Sequence, residues 1–237
     1  MGTAILVRRR FRGPAVSGNG GYTCGLIAEL VDGDAVEVTL RLPPPLETPL
    51  AVKREGETVL ILDGDALVAE ARPADVTLEW PEPPSFAEAE RLSTSRPVEA
   101  DHPFPGCFVC GTGREPGDAL CLRPAPLGDG RVVAPWRVDE RLAGPGVLPL
   151  PFAWASLDCP GGWAVQPDAS RGVSVLGRLT ARVDEPPSAG DECVVVGWPL
   201  GADGRRMHAG TALFRGRRLL AIGRAVWFEM GPEVRDR

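Results

Sequence analysis

One local pattern occurs twice in this chain. The segments LDGDALVAEARPA (62–74) and FRGRRLLAIGRAV (214–226) align without a gap, so that Gly64 falls on Gly216 and Leu67, Ala69 and Arg72 fall on Leu219, Ala221 and Arg224. Self-similarity of this kind points to an internal duplication of one supersecondary unit. The flanking sequence has the same texture in both places. AVEVTLRL (35–42), ETVLILDGD (57–65) and ALVAEARPADVTLEW (66–80) are β-branched and alternating, with Asp63-Gly64 as a hairpin turn. VSVLGRLTARV (173–183), ECVVVGWPL (192–200), HAGTALFRG (208–216) and RLLAIGRAVWFEM (218–230) read as antiparallel strands in the same way. ALCLRPAP (119–126) and GRVVAPWRV (130–138) add the first strands of the second half.

A helical segment precedes the strands in each half. GGYTCGLIAELV (20–31) sets Tyr22, Leu26, Ile27 and Leu30 on one stripe, and LPFAWASLDC (150–159) does so with Phe152, Ala155 and Cys159. Pro160 and the two glycines after it are expected to end the second helix. One helix followed by several antiparallel strands, made twice, predicts an α+β chain in which each helix is wrapped by a curved sheet. The first unit spans 1–80 and the second 107–237, together one compact domain. Residues 81–106, rich in Pro, Ser and charge, form the linker.

Composition narrows the function. With 237 residues, 43% of them apolar, the chain can bury a full core. No apolar run approaches a membrane span, and MGTAILVRRRFR places its arginines after its apolar residues, the reverse of a secretory signal, so the expected location is the cytoplasm. The formal charge is -6 and the basic residues are dispersed, which excludes the basic stripe a nucleic-acid binder needs. The six cysteines are then expected to be thiols. No P-loop lysine and no Gly-x-Ser-x-Gly elbow occur.

SGNGGYTCGLIAEL (17–30) and FAWASLDCP (152–160) are similar to segments of hotdog-fold acyl-CoA thioesterases. The resemblance implies two tandem hotdog units, each a long helix in a curved antiparallel β-sheet. It also implies a thioester hydrolase with no cofactor, acting on acyl-CoA or another acyl thioester, and a homodimer of double-hotdog chains through sheet edges. In phenylacetyl-CoA-type members, a polar residue before Gly-Gly at a helix start offers a backbone N–H to the thioester carbonyl, and an acid on the opposite helix acts as base or nucleophile. These features map onto Asn19, Gly20 and Gly21, and onto Asp158. Tyr22, beside the glycine pair, is placed with the substrate. Asn19 stands where that type often has histidine, and the Asp, Thr and Gln trio of the acyl-CoA thioesterase II type has no counterpart in the last strands.

The residues support these roles without the family. A helix N-terminus carries unpaired N–H groups, and glycine admits a close approach to them. Asp158 follows an apolar run, where desolvation raises a carboxylate's pKa. The halves are unequal: the first helix has Ala28, with Glu29 one residue off register, where the second has Asp158, and the second begins LPLPF without a glycine pair. One composite site per chain is therefore expected. The alternatives on the same fold are a non-catalytic acyl-CoA or small-ligand binding protein, and a hydratase or dehydratase of acyl thioesters.

Two further clusters remain. Arg205, Arg206 and His208 in DGRRMHAG are candidates to bind the phosphates of coenzyme A, arginine matching phosphate with a planar fork. HPFPGCFVCG (102–111) holds one Cys-x-x-Cys, Cys107 and Cys110, whereas structural zinc sites take four ligands. His102, Cys121 or Cys159 could complete it only by distant folding. The expectation is a proline-stiffened connection with buried thiols and no metal.

Overall fold

The computed structural model describes residues 3–95, 102–166 and 173–230. The alternating segments pair into one antiparallel sheet of eleven strands. Five come from the first half: β1 (Ala4–Leu6), β2 (Ala35–Leu40), β3 (Pro49–Glu55), β4 (Thr58–Asp63) and β5 (Ala66–Pro73). Six follow: β6 (Ala125–Pro126), β7 (Val132–Arg137), β8 (Val173–Val183), β9 (Glu192–Asp203), β10 (Arg206–Arg215) and β11 (Arg218–Met230). The order across the sheet is β1-β3-β4-β5-β2-β8-β11-β10-β9-β7-β6, so β2 and β8 join the halves edge to edge. Glu37, at the middle of this seam, lies opposite Thr180 on β8 and Arg72 on β5 and accepts a hydrogen bond from Arg72 at 2.8 Å. Opposite-charge cross-strand pairing of this kind helps pin register.

The repeated segments occupy equivalent places. Gly64 and Gly216 both turn a hairpin with positive φ, +58° and +59°. A register shift falls between Ile61 and Leu62 in β4, and another between Leu213 and Phe214 in β10, the same distance before the turn.

Helix α1 (Gly20–Ala28) crosses α3 (Leu150–Ser156) antiparallel at two glycines. A Cβ on Gly21 would lie 2.8 Å from the Trp154 carbonyl oxygen, and one on Gly25 would lie 2.5 Å from Pro151 Cα. The expected single apolar stripe is therefore too narrow: Gly21 to Gly25, Ile27 and Ala28 are all buried, because the sheet covers one side of α1 and α3 the other.

The second helix departs further from expectation. It stops at Ser156, and α4 (Cys159–Val165) begins after a two-residue break. Pro160 and the glycine pair lie inside α4 instead of ending a helix. In a continuous helix the Pro160 ring would meet the Ser156 carbonyl, whereas in the first turn of a new helix its missing N–H has no consequence. Gly161 and Gly162 let α4 lie against Thr211 and Trp227, which a Cβ would approach to 3.0 and 2.9 Å.

The described part of the linker before residue 96 is more ordered than its composition implies. Helix α2 (Phe86–Ser95) sets Phe86, Ala89 and Leu92 on the outer face of the sheet, against a cluster that includes Val133, Val196, Trp198 and Phe214. Of 119–126, only Ala125–Pro126 is strand. The remainder belongs to a loop held by Arg114, whose side chain is 4% exposed and donates to the carbonyls of Arg10, Gly106 and Asp118. Arg114→Ala would remove these bonds from partly buried acceptors and is expected to cost about 1–3 kcal/mol, read as a lower urea midpoint with unchanged m.

Candidate functional site

The break between α3 and α4 places Asp158 over the start of α1. Asn19 is the N-cap of α1, with Oδ1 accepting from the Tyr22 N–H at 2.9 Å. Its Nδ2 donates to Asp158 Oδ2 at 2.7 Å, and the Gly21 N–H donates to the same oxygen at 2.9 Å. Asp158 is 2% exposed, and its Oδ1 has no partner among the described residues. Burial pushes its carboxyl up to about 7, against the opposing pull of the Gly21 N–H and Asn19.

The structure thus brings Asn19, Gly20, Gly21 and Asp158 together, with an altered division of work. The Gly21 N–H, expected to face a substrate carbonyl, is engaged by Asp158. Asn19 holds the carboxylate and caps the helix. Gly20 keeps an N–H with no hydrogen bond among the described residues and lies on the cavity wall. No larger residue fits there, since a Cβ would lie 2.9 Å from Leu176 Cβ.

The cavity, about 890 Å³, extends from Asn19, Gly20 and Asp158 between apolar walls that include Leu176, Trp163 and Trp227. This volume falls in the range of small-molecule sites. Exposed Arg205 and Arg206 line it as well. Arg205 donates to the Glu229 carbonyl at 3.1 Å.

His208 and Tyr22 do not line the cavity. His208 sits on β10 between Val226 and Gly201, one strand repeat beyond Arg206. Tyr22 stacks on Phe11 at 3.8 Å and meets Phe108 and Phe152 edge-on in the core, and burial pushes its phenol up to about 12.

The Cys-x-x-Cys also differs from expectation. Cys159, at the start of α4, lies against it, and the sulfurs of Cys107, Cys110 and Cys159 are all within 4.8 Å of one another. Cys107 and Cys159 are 3.7 Å apart. Hydrogen bonding from Cys110 and Cys159 draws the Cys107 thiol well below its ordinary range, and the same contact pushes Cys110 and Cys159 up. His102 lines the cavity nearby with Nδ1 accepting from the Phe104 N–H at 3.1 Å, and Cys121 lies outside the trio. Of the three residues that could complete the pair by distant folding, Cys159 is the one the fold brings to it.

No family model and no curated protein matches the sequence. Solved structures do. A conserved protein of unknown function with hot dog fold from Alicyclobacillus acidocaldarius superposes at a TM-score of 0.61 and 14% identity, over 97% of this chain and 93% of that one. A putative thioesterase from Novosphingobium aromaticivorans does so at 0.61 and 17%, over 96% and 95%. An acyl-CoA thioesterase II from Mycobacterium marinum gives 0.53 and 13%, over 96% and 92%. The chain has the hotdog fold, and its structural neighbours include thioesterases. Among the described residues, no helix is long and apolar enough to cross a membrane.

Proposed function

We propose that the chain is two tandem hotdog units that hydrolyse an acyl thioester, most simply an acyl-CoA, at one composite site between the halves. One observation carries this reading: a buried carboxylate on the cavity wall has one oxygen fixed by Asn19 and Gly21 and the other unpartnered. The Gly20 N–H polarises the thioester carbonyl. Asp158 Oδ1 takes a proton from the attacking water, and the tetrahedral intermediate collapses to the acid with that proton passing to the departing thiolate. In the direct route Oδ1 attacks the carbonyl, the thiolate leaves as an acyl–Asp158 anhydride forms, and water then cleaves the anhydride to the acid and the free carboxylate. Asn19 and Gly21 are positioning groups that aim the carboxylate. Thioesterases among the structural neighbours support the reaction class.

The arginines fit the far end of such a substrate. Replacing Arg205 and Arg206 together with glutamate is expected to raise KM for an acyl-CoA about tenfold or more, equivalent to roughly 1.4 kcal/mol of binding. The KM for the matching acyl-pantetheine, which lacks the nucleotide phosphates, should change little. Equal losses on both substrates would remove the arginines from phosphate binding. Thiol release from short, long and aromatic acyl-CoAs by the unaltered protein tests the activity itself. A folded protein that binds acyl-CoA and hydrolyses none would be a binding module.

A further inference from the structure

We infer that Cys107, Cys110 and Cys159 form a metal site, three thiolates holding one zinc-class ion with its fourth position open to the cavity. The three sulfurs come from two remote segments, the turn 107–110 and the start of α4, and meet with Cys107 and Cys159 at 3.7 Å. A tetrahedron with metal–sulfur bonds of about 2.3 Å has an edge of about 3.8 Å, so this pair already stands at ligand spacing. All three residues line the cavity, beside Asp158.

The surroundings suit thiolates. The Val109 N–H points at Cys107 Sγ from 3.4 Å, and Asn19 Nδ2 lies 3.8 Å from the same sulfur. Donors of this kind hold a coordinating sulfur in orientation and stabilise its charge. The turn is also built for the purpose. Gly111 donates its N–H to the Cys107 carbonyl at 3.0 Å, and a Cβ there would lie 2.5 Å from both the Cys107 and Pro105 carbonyl oxygens. Pro103 and Pro105 stiffen the approach.

Other uses of these thiols fit less well. A disulfide would join two and leave the third without a role, and a redox Cys-x-x-Cys does not need Cys159. Thiolate ligands in tetrahedral array select zinc or iron–sulfur centres. Cluster sites ordinarily take four cysteines, and the remaining described cysteines, Cys24, Cys121 and Cys193, lie outside the group. On binding, each thiol releases its proton to solvent as its sulfur bonds the ion, leaving three thiolates around a divalent cation. Water, or a donor atom of a molecule in the cavity, completes the coordination. This assignment does not depend on the thioesterase reading.

The test is elemental analysis of full-length protein purified without chelator, followed by stripping, reduction and titration with cobalt(II). About one zinc per chain is expected, as is a one-equivalent cobalt endpoint with thiolate charge-transfer bands and the visible bands of tetrahedral cobalt. Cys107→Ser and Cys159→Ser should each lose tight binding, and Cys121→Ser should keep it. Reduced, folded unaltered protein that takes up neither ion would overturn the proposal even if the serine variants fail to fold. Iron with labile sulfide in place of zinc, or a Cys107–Cys159 disulfide in the freshly isolated protein, would overturn it too. None of these readouts involves thioester hydrolysis, so their failure is distinct from failure of the enzymatic reading.

Discussion

Asp158→Asn should lower kcat/KM for acyl-CoA hydrolysis by at least about a hundredfold, the order expected on losing a general base. The substitution suits its purpose because Asp158 uses its oxygens unequally. An asparagine can keep a carbonyl oxygen where Oδ2 now accepts from Asn19 and Gly21, and place its amide nitrogen where Oδ1 has no partner. The fold should therefore persist, with an unchanged circular dichroism spectrum and a melting temperature close to that of the unaltered protein. Retention of full turnover by such a protein would remove Asp158 from the chemistry.

Gly25→Ala should produce a large loss of stability for a single added methyl group. Its Cβ would lie 2.5 Å from Pro151 Cα and 2.8 Å from Trp154 Cβ, against backbone that cannot rotate away. Overpacking of this sort costs about 1–3 kcal/mol, and the backbone contact argues for the upper end. For a chain of this size that is a fall in Tm of roughly 6–12 °C. Because Gly21 meets Asp158 and Ala155 one turn earlier in the same crossing, forcing α1 from α3 should also reduce activity. Gly56→Ala is the control: Gly56 has φ +61° but open space around it, so only the backbone preference, about 1–2 kcal/mol, is at stake. Similar losses from both would show that crowding at the crossing is not the cause.

Sequence patterning carried the fold where burial follows local chemistry. Strands β8 and β11 fall on the expected segments 173–183 and 218–230, because alternation and β-branching extend through both. Strand β3, PLAVKRE, escaped notice because it is a largely exposed strand with only Leu50 fully buried. Helix α2 was concealed because its apolar and buried contacts come from Phe86, Ala89, Leu92 and Ser93 within a charged, proline-flanked segment. In the site, the meeting of Asn19, Gly20 and Gly21 with Asp158 was expected from the resemblance of two short stretches to hotdog-fold thioesterases, with the inequality of the halves in support. Their assignments were less so. Whether the Gly21 N–H faces a ligand or a carboxylate depends on how closely α1 and α3 cross, and Cys159 joins Cys107 only through contacts 52 residues apart. Tyr22 shared the helical periodicity of a cavity residue, but its ring turns into the aromatic core.

The crossing of α1 and α3 has unlike ends. At one end, glycine and asparagine meet a carboxylate; at the other, Gly25 meets Pro151. An assembly of two identical chains about a twofold axis must place every residue at both ends, so a change that improves one end is imposed on the other. Here each helix is encoded separately, and a substitution is tried in one setting only. The start of α3 can therefore be proline-rich and closely packed while the start of α1 carries the glycines that admit a buried acid. A symmetric protein would have had to find one sequence for both tasks.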